Sequence, residues 1–272
     1  MVYNIHTVND AYEFLCELTG DKPERLLQNW FACGEDIDKF IEMYSVQVNS
    51  WNIETIDFVI KHVTSSCCEL KDIKAHGILY LQDVIKTDTF LSRLLKAVDF
   101  NIDTDAHKLI TAGREYELDR DTLLEMPWTT LFRNELLQVS HTIYYDYLST
   151  FLHCSNPFAY GNGLGNHPEF MDHFARIPPN GEKIVHYWNK HSKGFLISAT
   201  VPFSNVSHVS FGMNKESSYM ADIANGYKCC KRYLINKACE IALQEYDRDC
   251  YLFLKHHTRI PVKDFISIEN QP

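Results

Sequence analysis

The stretch IDFVIKHVTSSCCELKDIKAHGIL, at residues 56–79, is the most informative about the fold because its pattern changes from that of a strand to that of a helix. Its first five residues, 56–60, are rich in β-branched and aromatic side chains, which predicts a strand ending near His62. Polar residues follow at 64–66, and the segment ELKDIKAHG at 69–77 then has the spacing of a short helix that ends at Gly77. We therefore expect a strand followed directly by a helix.

Upstream of this stretch, residues 1–54 have a helical pattern. The segment AYEFLCELTG predicts a helix capped by Asn9 or Asp10 and ending at Gly20. Pro23 suits the first turn of a second helix, and a third is expected near 35–47. The chain thus begins with a helical N-terminal region.

Downstream, helical patterns dominate residues of about 80–190, including one long pattern at 122–152. A further helix is expected at 222–244, and residues 101–118 fit neither helical nor strand spacing. The remaining strands are expected at 195–201, 206–211, 251–255 and 265–268. Because no repeat and no convincing linker interrupts the 272 residues, the sequence predicts a single α+β domain, 1–272, with a helical insertion.

Composition narrows the classes of function. Hydrophobic residues make up 45% of the chain, which is typical of a globular protein, and no apolar run approaches the ~20 residues that span a bilayer. A net charge of −10 disfavours general attraction to nucleic acid, although Lys228, Lys231, Arg232 and Lys237 form a local basic segment. We expect no membrane association and no signal peptide.

The cysteine pattern indicates a reducing compartment. There are nine cysteines and no C-x-x-C spacing, so free thiols in a cytoplasmic protein are expected. The adjacent pair His256-His257 would point to opposite faces of a strand, and no H-E-x-x-H or H-x-H occurs. No metal site is therefore predicted.

The motif H-V-T at 62–64, followed by I-K-A-H-G-I at 73–78, resembles the nicotinamide-binding start of the ADP-ribosyltransferase superfamily. Poly(ADP-ribose) polymerases, RNA 2′-phosphotransferases and nucleic-acid-modifying toxins share a pattern of His-x-Ser/Thr and then I-x-x-x-G-[LI]. The resemblance implies that His62 hydrogen-bonds the nicotinamide ribose and that Thr64 helps to seat the nicotinamide. Because i and i+2 of a strand share a face, both could meet one ligand.

The C-terminal order of an acidic residue, a strand, a Pro and a last strand resembles the same superfamily. The family's catalytic Glu falls on Asp249, with Glu245 as the alternative. A carboxylate there would stabilise the positive charge that develops on the ribose and could activate the acceptor as a general base. The family's central nicotinamide-contacting strand matches at Ser198, or at Tyr219.

The resemblance implies an α+β fold with an ADP-ribosyltransferase-like split β-sheet core in residues 55–272 and the helical region at 1–54. It implies NAD as substrate and a macromolecular acceptor, which could be DNA, RNA or protein. By analogy, stand-alone transferases of this type act as toxins in toxin–antitoxin or phage-defence systems, with an antitoxin or inhibitor protein as partner.

Two other functions stay open at this stage. One is a nuclease or other hydrolase toxin in which His62 is the general base, although the D-x-n-E-x-K spacing of nucleases is not found. The other is a non-catalytic partner-binding protein whose NAD site has decayed, which the Asp at position 249 supports, since the family has Glu there.

Overall fold

The computed structural model describes residues 1–159, 167–213, 223–244 and 248–271. Within these ranges the helices are α1 (Val8–Thr19), α2 (Pro23–Ala32), α3 (Ile37–Met43), α4 (Ser45–Ser50), α5 (Lys71–His76), α6 (Leu81–Lys86), α7 (Phe90–Ala97), α8 (Arg120–Glu125), α9 (Arg133–Tyr144), α10 (Phe170–Ala175), α11 (Gly181–His191) and α12 (Ile223–Leu243). The strands are β1 (Val2–Tyr3), β2 (Asp57–Ser66), β3 (Phe100–Asp103), β4 (Lys108–Thr111), β5 (Arg114–Glu117), β6 (Leu148–His153), β7 (Lys193–Pro202), β8 (Cys250–Leu254) and β9 (Phe265–Asn270). The expected mixture of helix and strand is confirmed.

The chain divides into two compact units. Unit 1 contains Met1–His62, Ser149–Ser155 and Ser198–Lys255, and unit 2 contains Val63–Leu148, Asn156–Ile197 and His256–Pro272. Two of the dividing points, 62/63 and 197/198, fall inside strands β2 and β7, so no linker in the sequence marks them. The helices α1–α4 belong to the same unit as the first part of β2.

The larger sheet has the strand order β8-β6-β2-β7-β9, and β1 pairs in parallel with the start of β2. β6 runs antiparallel to β2, with Lys61 opposite Phe151. The strands β8 and β9 stand at the two ends of this order, so they are not hydrogen-bonded to each other. The predicted order of strand, Pro261 and last strand along the chain is observed.

The core of unit 1 forms around Tyr3, which is fully buried. Its ring lies edge-on to Phe14 and Phe58, and its hydroxyl donates to the Leu234 carbonyl of α12 at 2.9 Å. These contacts hold α1 and α12 against the first part of β2. As predicted, α1 ends at Gly20 in the left-handed conformation, but its N-cap is Thr7, with Asp10 three residues later completing a capping box.

Unit 2 has its own apolar core, which includes the buried side chains of Leu95, Phe100, Leu109, Val139 and Phe174. The three-stranded antiparallel sheet β3-β4-β5 packs into this core through Phe100 and Leu109. It occupies the stretch 101–118 that fitted neither spacing, because its strands are only four residues long. The insertion at 80–190 is therefore not purely helical.

Two further secondary-structure predictions are wrong. The long helix expected at 122–152 is instead α8, α9 and strand β6, and the break between the helices contains Pro127. The last residues of that pattern are apolar on both faces in β6, and such a run suits helix and strand equally. The strand expected at 206–211 is a single bridge from Val206 to Leu254 followed by a short 3-10 turn.

Candidate functional site

His62 lies in the middle of β2, where its side chain is half-buried. Its Nδ1 is 3.2 Å from the Ser149 carbonyl oxygen in β6. A carbonyl can only accept, so Nδ1 carries the proton and the neutral ring presents Nε2 as an acceptor. Burial lowers the pKa of His62 and the bond to Ser149 partly offsets this, so the neutral imidazole prevails near pH 7.

Thr64 follows two residues later in the same strand, in unit 2. The pattern of burial along β2 changes at His62: Phe58 and Ile60 are buried before it, and Val63 is buried after it. Residues 58, 60, 62 and 64 share one strand face, and on it the side chains of His62 and Thr64 are half-buried whereas those of Phe58 and Ile60 are buried. The strand thus carries both side chains on one face, as the sequence predicts.

The loop after β2 is fixed by its own side chains. The Ser66 hydroxyl accepts from the backbone N–H of Cys68 at 3.2 Å and of Leu70 at 3.0 Å. The neighbouring Ser65 hydroxyl accepts from Trp188 Nε1 at 2.8 Å. Burial raises the pKa of Cys67 to about 12, so this thiol is not a ready nucleophile.

Gly77 ends α5 as predicted, and its backbone conformation requires glycine. Its φ of 78° and ψ of −171° lie in a region that other residues avoid, and an added Cβ would stand 2.2 Å from the Ile260 carbonyl oxygen. The next residue, Ile78, exchanges two backbone hydrogen bonds with Ile260 at 2.9 and 3.0 Å. The motif at 73–78 is thereby joined to the segment just before Pro261, about 180 residues further along the chain.

Asp249 immediately precedes β8 and is exposed. Its Oδ2 accepts from the Tyr251 hydroxyl at 3.4 Å, and the Tyr251 ring packs against Phe151 at 5.4 Å. Phe151 is the cross-strand partner of Lys61, and cross-strand partners share a sheet face. Asp249 is therefore associated with the Lys61 face, whereas the next residue, His62, projects to the opposite face.

The other site residues inferred from the sequence are placed as follows. Ser198 lies in β7 with 6% of its surface exposed, so it is part of the interior. Glu245 and Tyr219 lie outside the described residues. His62 and Thr64 thus lie two residues apart in β2, and Asp249 is associated with the Lys61 face of the sheet, opposite to the side chain of His62.

Sequence reasoning missed a cluster in unit 2 that we call the Tyr80 cluster: Tyr80, Asp83, Tyr147, His256 and His257. The buried Tyr80 ring lies edge-on to both histidines, and its hydroxyl is 3.2 Å from His256 Nδ1. His257 Nδ1 is 3.4 Å from Asp83 Oδ2, and Tyr147 stacks on His256. His256 and His257 lie in a turn and not on the predicted strand, and His257 has a φ of 59° there.

The basic segment on α12 is largely occupied by intramolecular contacts. Arg232 forms a two-pronged ion pair with the two carboxylate oxygens of Asp38, at 2.7 and 3.0 Å. Lys237 pairs with Glu240 at 2.6 Å, and Lys231 donates to the Val48 carbonyl at 2.8 Å. These contacts fit a solvated helix surface better than a phosphate-binding patch.

The nine cysteines are free thiols. Within the described ranges, no group of three His, Cys, Asp or Glu side chains is arranged to hold a metal ion. In the same part of the chain, no helix is both long and apolar enough to cross a membrane.

No family model matches this chain, no curated protein matches it, and no solved structure matches it. The function is therefore inferred from the residues and their geometry.

Proposed function

We propose that the protein is an NAD-dependent ADP-ribosyltransferase that modifies a macromolecular acceptor. The observation that carries the proposal is the pairing of Ile78 with Ile260. It connects the two segments on which the resemblance depends, although they are far apart in sequence. Gly77, the glycine of the motif, is required at this junction because the Ile260 backbone occupies the space of a side chain.

The state of His62 suits a ribose hydroxyl as ligand. With Nδ1–H donating to Ser149, the free Nε2 accepts a hydrogen bond from an O–H group. Thr64, on the same strand face, supplies a hydroxyl that both donates and accepts. Both side chains are uncharged near pH 7, which agrees with a role in binding NAD. The negative charge that stabilises the developing positive charge on the ribose must then come from a carboxylate.

In the proposed reaction the C–N bond between ribose and nicotinamide breaks, and nicotinamide leaves with the bonding electron pair. An acceptor nucleophile forms the new bond to the ribose carbon and gives its proton to a carboxylate acting as general base. Asp249 and Glu245 are the two candidates for that carboxylate. The position of Asp249, facing away from the His62 side of the sheet, favours Glu245 for this role.

Nicotinamide release from NAD, followed by mass spectrometry in lysate that supplies acceptors, tests the proposal. We expect release by wild type and strongly reduced release by His62→Ala and Glu245→Gln. The matched controls are His186→Ala and Asp121→Asn, which alter exposed residues in unit 2 and should retain activity. A second set of reactions with purified DNA, RNA and protein identifies the acceptor class, including the target that a toxin or defence effector would modify.

If wild type releases no nicotinamide with any acceptor pool, the transferase assignment is wrong. If wild type releases it and His62→Ala releases it at the same rate, His62 is not part of the NAD site. Loss of activity in Asp249→Asn with full activity in Glu245→Gln would assign the role of general base to Asp249 instead of Glu245.

A hydrolase is the second candidate, because the same neutral His62 with a free Nε2 can act as a general base. Cleavage of RNA or DNA without NAD, lost in His62→Ala, would favour this function. A protein with neither activity, in any acceptor pool, would fit the non-catalytic partner-binding function.

A further inference from the structure

Strand β9 is the last strand in the order of the larger sheet, and among the described strands none pairs with its outer edge. On its inner side, in unit 2, the Gln271 N–H donates to the Gly194 carbonyl of β7 at 2.9 Å. The N–H and C=O groups of successive strand residues alternate between the two sides. Ile266, Ile268 and Asn270 therefore direct their backbone groups outward.

This edge lacks the features that usually prevent strands from pairing. Natural edges are protected by proline, lysine, bulges or very short strands. β9 is six residues long, FISIEN, and Glu269 is its only charged residue. Ile266 and Ile268 project from the same face with 58% and 39% of their surfaces exposed.

We propose that β9 pairs antiparallel with β9 of a second copy of this chain, centred on Ser267. A two-fold axis perpendicular to the sheet places the same face of both copies on the same side of the combined sheet. Residues opposite each other must therefore both have odd numbers or both have even numbers. Centring on Ser267 places Ile266 of each copy opposite Ile268 of the other. It also places Asp264 opposite Asn270, so no like charges face each other.

The neighbouring registers are less favourable. Centring on Ile266 places Asp264 opposite Ile268, and centring on Ile268 places Asn270 opposite Ile266. Only the Ser267 register brings the four isoleucines together as cross-strand neighbours and lets the outward backbone groups of Ile266 and Ile268 bond each other. The strand is thus self-complementary in both shape and charge.

The inference is independent of the proposed catalytic activity. Two paired strands cover less than the roughly 1,600 Å² of a standard interface, so we expect a reversible dimer of about micromolar affinity. Sedimentation velocity of the full chain from about 1 to about 100 µM should show a mass rising from 31.7 kDa toward twice that value. A mass that stays monomeric throughout this range overturns the proposal.

Substitution tests the edge itself. Ile266→Lys and Ile268→Lys should weaken dimerisation at least about tenfold, because each places a charge opposite an isoleucine. Leu131→Lys is the matched control: its side chain is 72% exposed in the same unit, and it should dimerise like wild type. Dimers that persist unchanged in both isoleucine variants would place the interface elsewhere.

The register is tested by a cysteine at its centre, which also keeps the proposal testable if a lysine variant does not fold. In Ser267→Cys the two new thiols would face each other in a non-hydrogen-bonded pair, about 4.5 Å apart at Cα, which suits a disulfide. Added oxidised glutathione takes up the two electrons and two protons as the bond forms. We expect a covalent dimer for Ser267→Cys above the background of the nine native thiols, and none for Ile266→Cys. Cross-linking of Ile266→Cys alone, or of neither variant, contradicts the proposed pairing.

Discussion

Replacement of Gly77 by alanine probes the junction between the two segments that carry the functional argument. The φ of 78° with ψ of −171° is nearly exclusive to glycine, and forcing alanine into it costs on the order of 1–3 kcal/mol. The new Cβ would also stand 2.2 Å from the Ile260 carbonyl oxygen, a backbone atom that no side-chain rotation can move away. If that carbonyl shifts, the two hydrogen bonds between Ile78 and Ile260 weaken, at about 1 kcal/mol each.

We therefore expect Gly77→Ala to lower the free energy of unfolding by about 3–5 kcal/mol, a large share of the roughly 5–15 kcal/mol of a typical protein. Urea unfolding followed by tryptophan fluorescence measures it. With a slope of about 3 kcal/mol per molar urea, the midpoint should fall by 1 M or more.

Gly113→Ala is the matched control. Gly113 lies in the same unit with a φ of 70°, but an added Cβ would meet no atom within 4 Å. Its substitution should cost only the strain of a left-handed alanine, about 1–2 kcal/mol. If Gly77→Ala is no more destabilising than Gly113→Ala, the close approach of Ile260 is not what constrains this junction.

Two other predictions concern stability. Burial and the nearby charge of Lys61 lower the pKa of His6 to about 3, so the unfolded chain takes up this proton first as pH falls below 6.5. The free energy of unfolding should then fall by about 1.4 kcal/mol per pH unit between pH 6.5 and pH 3. His6→Gln should remove this part of the pH dependence, which is measured by urea unfolding at pH 7 and pH 5. An unchanged pH dependence in His6→Gln would refute the assignment to His6. Trp188→Phe leaves the buried Ser65 hydroxyl without its 2.8 Å donor and should cost about 1–3 kcal/mol in thermal or urea unfolding. A cost close to zero would show that this hydrogen bond does not stabilise unit 2.

The elements predicted well from sequence are those whose signals are local. The strand that carries His62, the short helix ending at Gly77, the stop at Gly20 and the helix start at Pro23 are all observed, although the strand continues to Ser66 instead of ending near His62. In each case the deciding interaction lies within a few residues: a turn conformation, a missing N–H, or the alternation of one strand. The shared strand face of His62 and Thr64 belongs to this class, since it follows from strand geometry alone.

The features that sequence did not predict depend on partners far away in the chain. β6 has an apolar pattern that suits a helix, and it is a strand because β2 and β8 pair with it on either side. The strands β3, β4 and β5 are too short to show a period, and each pairs with the next as a meander packed on the core of unit 2. The Tyr80 cluster joins residues more than 170 positions apart.

The strand-to-helix motif at 56–79, the end of the helix at Gly77 and the two candidate ligands on the strand all follow from local sequence. The division of the chain into two units and the close approach of Gly77 to Ile260 depend on contacts between distant segments. The association of Asp249 with the Lys61 face, opposite to His62, depends on such contacts as well. The reason is physical: the side of a sheet to which a residue projects depends on strand register, and register is set by contacts between segments that local sequence does not encode.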